Sequence, residues 1–103
     1  MNPDDYITVA RFSNGTSGEM RIYLEMLGDE VVLSPGHEIE LLARLSEKLL
    51  PILVQYAGDG IQVFAHQEPD PDWHIRFNGR IYCTGQPNPT RLADLGKLED
   101  GRI

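Results

Sequence analysis

The chain has 103 residues, enough for one domain that buries roughly two-thirds of its unfolded surface around a single core. Its composition, 41% hydrophobic and 24% charged, is that of a globular rather than a disordered chain. A formal charge of −7 spread along the sequence argues against nucleic-acid binding, and no apolar run approaches the ~20 residues a membrane span needs.

The acidic start Met1-Asn2-Pro3-Asp4-Asp5 lacks the basic and apolar regions of a secretory signal. The single cysteine, Cys83, permits no intrachain disulfide, so a reducing cytoplasm is the expected compartment. Asn14-Gly15-Thr16 matches a glycosylation acceptor, and in a cytoplasmic protein it reads as a polar turn.

The first predicted strand runs from Tyr6 to Phe12, where Ile7 and Val9 alternate with Thr8 and Ala10. A turn-rich segment, residues 13–18, leads to the clearest strand. Met20, Ile22, Leu24 and Met26 lie on one face of it, and Arg21, Tyr23 and Glu25 on the other, the period of a half-buried antiparallel strand. Gly28-Asp29 turns the chain into a short strand over Glu30–Leu33. Residues 34–50 support two readings. Ser34 as cap, Pro35 at the first position and Ile39, Leu42, Leu45 and Leu49 at helical spacing suggest a helix. Alternation of Ile39, Leu41 and Ala43 with Glu38 and Glu40 suggests a strand, with 44–48 a loop.

Beyond Pro51 the strand signal returns. Ile52, Val54 and Tyr56 alternate, 57–60 forms a hairpin-type loop, and Ile61, Val63 and Ala65 alternate again. Pro69 and Pro71 stiffen an acidic loop, since neither can donate to a sheet. Residues 73–77 and 80–83 flank Asn78-Gly79, the strongest short-range hairpin signal, because a type I′ turn needs positive φ at both central residues. The segment 84–103 reads as a turn-rich tail. Asn88 is a candidate cap for a short helix over Thr90–Lys97 that docks by Leu92, Leu95 and Leu98.

The stretch Leu24-Glu25-Met26-Leu27-Gly28-Asp29-Glu30-Val31-Val32-Leu33-Ser34-Pro35-Gly36 resembles a pattern in small bacterial β-sandwich proteins of no known activity. There Leu-Glu-x-x-Gly-acidic precedes an apolar strand that ends in Pro-Gly. The resemblance spans residues 6–43, with an echo in the Asn78-Gly79 hairpin. It implies a strand over 37–43 and brings no catalytic residues.

The expected fold is therefore an all-β antiparallel sandwich, Ig-like in the broad sense, in one domain over 1–103 with its β-rich core in 6–83. The alternative is α+β, with a helix near 36–50 on an antiparallel sheet. A two-residue turn at 78–79 pairs Phe77 with Arg80, Arg76 with Ile81, Ile75 with Tyr82 and His74 with Cys83. His74 facing Cys83 is a candidate start for a metal site, with His66 and the carboxylates of the acidic loop as further ligands. Nothing after Cys83 supplies the His or Met of a blue-copper site. No serine sits in a nucleophile-elbow context, and Gly58-Asp59-Gly60 lacks the Lys and Ser/Thr of a phosphate loop. Trp73, Phe77 and Tyr82 form a candidate interaction patch if two of them stay exposed, while their alternating strand positions favour the core. The sequence thus favours a non-catalytic protein-interaction module without a cofactor, its partner another protein. A metal- or small-ligand-binding protein is the alternative.

Overall fold

The computed structural model describes residues 2–56, 58–85 and 88–95. Among the described residues, nine strands follow a 3₁₀ turn at Pro3–Asp5: β1 (Tyr6–Ser13), β2 (Met20–Leu24), β3 (Asp29–Leu33), β4 (Glu38–Arg44), β5 (Leu53–Tyr56), β6 (Gly60–Phe64), β7 (His74–Phe77), β8 (Arg80–Cys83) and β9 (Thr90–Arg91). They form two sheets, a four-stranded one in the order β1-β4-β7-β8 and a five-stranded one in the order β5-β6-β2-β3-β9. The fold is a β-sandwich. Its first sheet is antiparallel throughout, as expected. The second is mixed, because β6 and β9 run parallel to their neighbours β2 and β3. Among the described residues no helix is long and apolar enough to cross a membrane.

Side-chain alternation defines the core. Ile22 and Leu24 of β2, Val31 and Leu33 of β3, Ile39, Leu41 and Ala43 of β4, Val63 of β6 and Ile75 and Phe77 of β7 pack in one cluster with Leu49 and Trp73. Each large aliphatic residue buried this way contributes roughly 1.5–3 kcal/mol relative to exposure.

The ambiguous segment 36–50 is not a helix. Gly36 has φ +83 after Pro35, and the His37 amide donates to Ser34 O at 3.0 Å, the pattern of a type II turn. β4 follows as a central strand between β1 and β7. Ile39, Leu41 and Ala43 point into the sandwich, while Leu42, only 2% exposed, is buried on the opposite face between Thr8 and His74. Burial on both faces explains the helix-like spacing, since a run of adjacent apolar residues carries no period.

Of the C-terminal segment, residues 90–95 join the sandwich. Thr90–Arg91 adds a strand to β3, and Leu92–Leu95 makes one helical turn that buries Leu92 and Leu95 in the core. Lys97 and Leu98 lie outside the described residues. Asn88 does not cap a helix; its Oδ1 accepts from the Glu30 amide at 2.9 Å and its Nδ2 donates to Gly28 O at 3.2 Å.

Candidate functional site

The hairpin forms in the expected register. Asn78 and Gly79 have φ of +52 and +78, and Phe77, Arg76, Ile75 and His74 pair with Arg80, Ile81, Tyr82 and Cys83. His74 and Cys83 thus face each other, in different settings. His74 is buried, and Cys83 is exposed. The His74 ring meets Tyr6 edge-on, with centroids 5.1 Å apart, and its Nδ1 donates to Asp72 O at 2.8 Å. His66 lies in the segment after β6, which belongs to the other sheet. Among the described residues no three of His, Cys, Asp and Glu converge as a metal-holding group.

The acidic loop is tied inward by other contacts. The Asp72 carboxylate accepts from the Tyr6 hydroxyl, and the Asp70 carboxylate accepts from the Asp72 amide at 3.1 Å. Arg44 Nη2 donates to Asp70 O at 2.8 Å. A hydrogen bond from Ser46 holds the Glu68 carboxyl below its ordinary value.

The bond to Asp72 pushes the Tyr6 hydroxyl up from 10.0 to about 12, with burial adding to the effect. The neutral phenol is the form that holds the loop. Its stabilisation is therefore fully present below pH 10.0 and lost as pH rises through about 12. Tyr6→Phe is expected to lower stability by about 1 kcal/mol at neutral pH, the solvent-screened end of the range for bonds to charged groups. Urea unfolding should show that gap closing in the alkaline range, and a gap independent of pH would contradict the assignment.

The three aromatic residues take core positions, as their alternation favours, rather than forming a surface patch. Trp73 is 2% exposed and its Nε1 donates to Glu25 O at 3.2 Å. Phe77 is 8% exposed and packs edge-on against His37. Tyr82 pairs with Ile75 on the core side and is half-buried against the core. These side chains serve packing, because their alternation directs them between the sheets. The glycosylation-like Asn14 is likewise enclosed. It is 1% exposed, and its Nδ2 donates to Gly18 O and Leu33 O, both at 2.8 Å.

Two of the surface hollows lined by described residues bear on function. One, of about 450 Å³, lies at the end of β4 and the β7–β8 turn, and it presents Arg11, His37, Glu38, Glu40 and Arg76. Its two arginines are already engaged by Glu38 and Glu40, which leaves balanced charge. The other, of about 400 Å³, is largely apolar and lies beside β5, lined by Met26, Pro51, Ile52, Leu53, Phe64 and His66 among others. Met26 stands there with φ +79 and is 48% exposed. Left-handed backbone at such a residue costs roughly 1–2 kcal/mol.

β5 itself was not singled out by the sequence. It ends the five-stranded sheet, and all four of its residues are exposed. Val54 and Tyr56 pair with Val63 and Ile61, which join the core, yet they are 48% and 91% exposed. The hydrogen-bond phase of the strand follows from its neighbours. Val63 O accepts from the Glu25 amide at 2.9 Å, so the main chain of Val63 faces β2. Gln62 and Phe64 then face β5 and bond Gln55 and Leu53. The N–H and C=O groups of Val54 and Tyr56 consequently point away from β6, to a side where no strand lies among the described residues. The other edges differ. β1 carries an irregularity between Thr8 and Ala10 and a charged Arg11, β8 carries Arg80, and β9 is two residues long. A bulge, a charge or a strand of minimal length each blocks strand addition, and β5 has none of them.

No protein-family model, no curated protein and no solved structure matches this chain.

Proposed function

We propose that this protein is a non-catalytic interaction module that engages a protein partner at the open edge of β5. The observation that carries this reading is the strand Leu53-Val54-Gln55-Tyr56, uncharged, exposed on both faces and without a guard on its outer main chain. An extended partner strand would take the main-chain bonds of Val54 and Tyr56, and the neighbouring apolar hollow at Met26 and Leu53 would receive a side chain from it. The exposed, backbone-strained Met26 fits such a role, since strain of this kind gathers at working surfaces and a thioether adapts to varied shapes. The lone exposed cysteine suits a reducing cytoplasm.

A photo-crosslinking amino acid in place of Tyr56, introduced in the cells that make the protein, tests the reading. It is expected to capture a protein through an extended segment. Val54→Pro, which removes the outward-facing N–H and no bond to β6, should abolish capture. Capture that survives Val54→Pro would contradict it.

A further inference from the structure

Resting on that reading, we infer that the strand β5 pairs with is β5 of a second copy of this chain. Charge is the first argument. The molecule carries −7, so two copies repel over most of their surface. No charged residue lies between Lys48 and Asp59, and β5 occupies the middle of that neutral stretch. Asp59 is itself occupied, its Oδ1 accepting from the Tyr23 hydroxyl at 2.7 Å.

Register is the second argument. Two sheets that join edge to edge about a two-fold axis normal to the sheet must pair residues of the same face. The outward-facing groups belong to Val54 and Tyr56, so an axis through Gln55 satisfies both conditions. Val54 of each copy then lies opposite Tyr56 of the other, each pair exchanging both of its main-chain hydrogen bonds. Their side chains share a face, an aromatic ring against a β-branched residue, which is a favourable cross-strand pair. Gln55 meets Gln55 at the closely spaced position, where two primary amides bond each other. Val54, Gln55 and Tyr56 thus each meet a chemically matched residue, apolar on apolar and amide on amide, and no carboxylate lies among them. The result is one continuous sheet across both copies.

Sedimentation equilibrium of the whole chain over a range of concentrations tests this. A reversible monomer–dimer equilibrium is expected. Val54→Lys and Tyr56→Glu alone should each weaken it by about tenfold or more, a change of about 1.4 kcal/mol or more. Mixing the two variants sets the introduced ammonium opposite the introduced carboxylate in one of the two pairs and should restore association toward the parent value. Both positions are exposed, and unchanged circular dichroism will show that the variants fold. A parent that stays monomeric throughout, a dimer indifferent to both variants, or a mixture no tighter than its components overturns the second-copy assignment. If that happens while crosslinking at position 56 captures a different protein, the β5 reading stands and only the partner is wrong. If neither association occurs, both fail.

Discussion

Gly60→Ala is expected to destabilise the protein by roughly 3–5 kcal/mol, the upper tail for a single substitution. Gly60 opens β6 in parallel register with Arg21 of β2. A Cβ there would be driven into the Arg21 main-chain carbonyl, which has no rotamer by which to move aside. Relief requires β6 to part from β2, whose Ile22 and Leu24 are fully buried. It also loosens β5, whose sheet neighbour among the described residues is β6. Total stability for a domain of this size is typically about 5–15 kcal/mol, so the variant should be unfolded or nearly so under mild denaturant. Gly15→Ala is the control. A Cβ there meets nothing within 4 Å, and urea unfolding should hardly register the change. A Gly60→Ala midpoint equal to that of the parent would show that the parallel pairing is wrong.

Asn14 is expected to give the second large effect. Its Nδ2 supplies Gly18 O and Leu33 O, and its Oδ1 accepts from the Thr16 amide at 2.9 Å and the Thr16 hydroxyl at 2.7 Å. Its main chain also joins the turn before β4, with the Gly36 amide donating to Asn14 O at 2.9 Å. One side chain therefore ties the end of β1 to the end of β3. Asn14→Ala strands several of these groups and should lower stability by roughly 2–4 kcal/mol, since each enclosed polar group left unmet costs about 1–3 kcal/mol. Asn14→Asp is the sharper variant. It keeps the shape and the acceptor oxygen, but sets a second carboxylate oxygen against two carbonyls. At neutral pH it should lose at least as much as the alanine variant. Relative to the parent it should recover part of that loss in acid, where the protonated carboxyl regains one donor. An aspartate variant as stable as the parent at neutral pH would contradict the bonding described.

These two residues show where sequence reading reached and where it stopped. The hairpin register was legible because Asn78-Gly79 fixes the turn, and the turn fixes every pair out to His74 and Cys83. The strand expected over 20–26 was legible as far as Leu24, because only one of its faces is buried, whereas Met26 leaves the strand with φ +79 and is exposed. β4 was not, since Leu41, Leu42 and Ala43 are buried on both sides and adjacent apolar residues mark no face. The parallel pairings of β6 and β9 join segments far apart in sequence, and no local signal reports them. At the candidate site, the alternating strand positions of Trp73, Phe77 and Tyr82 already favoured the core over a surface patch, and that is where they pack. β5 carries no local mark of a working surface, for a related reason. Ile52, Val54 and Tyr56 alternate like any half-buried strand, and only the tertiary arrangement leaves that face uncovered. Asn14 looked like a surface acceptor because its enclosure depends on Leu33 and Gly18 arriving from other parts of the chain.

The most direct test of β5 as the working surface compares photo-crosslinking at two exposed edge positions, Tyr56 on β5 and Ser13 on the guarded edge β1. A protein captured efficiently from position 56, hardly at all from position 13, and lost with Val54→Pro is the result expected of an open strand edge. Equal capture from both positions, or capture from position 13 alone, would contradict it.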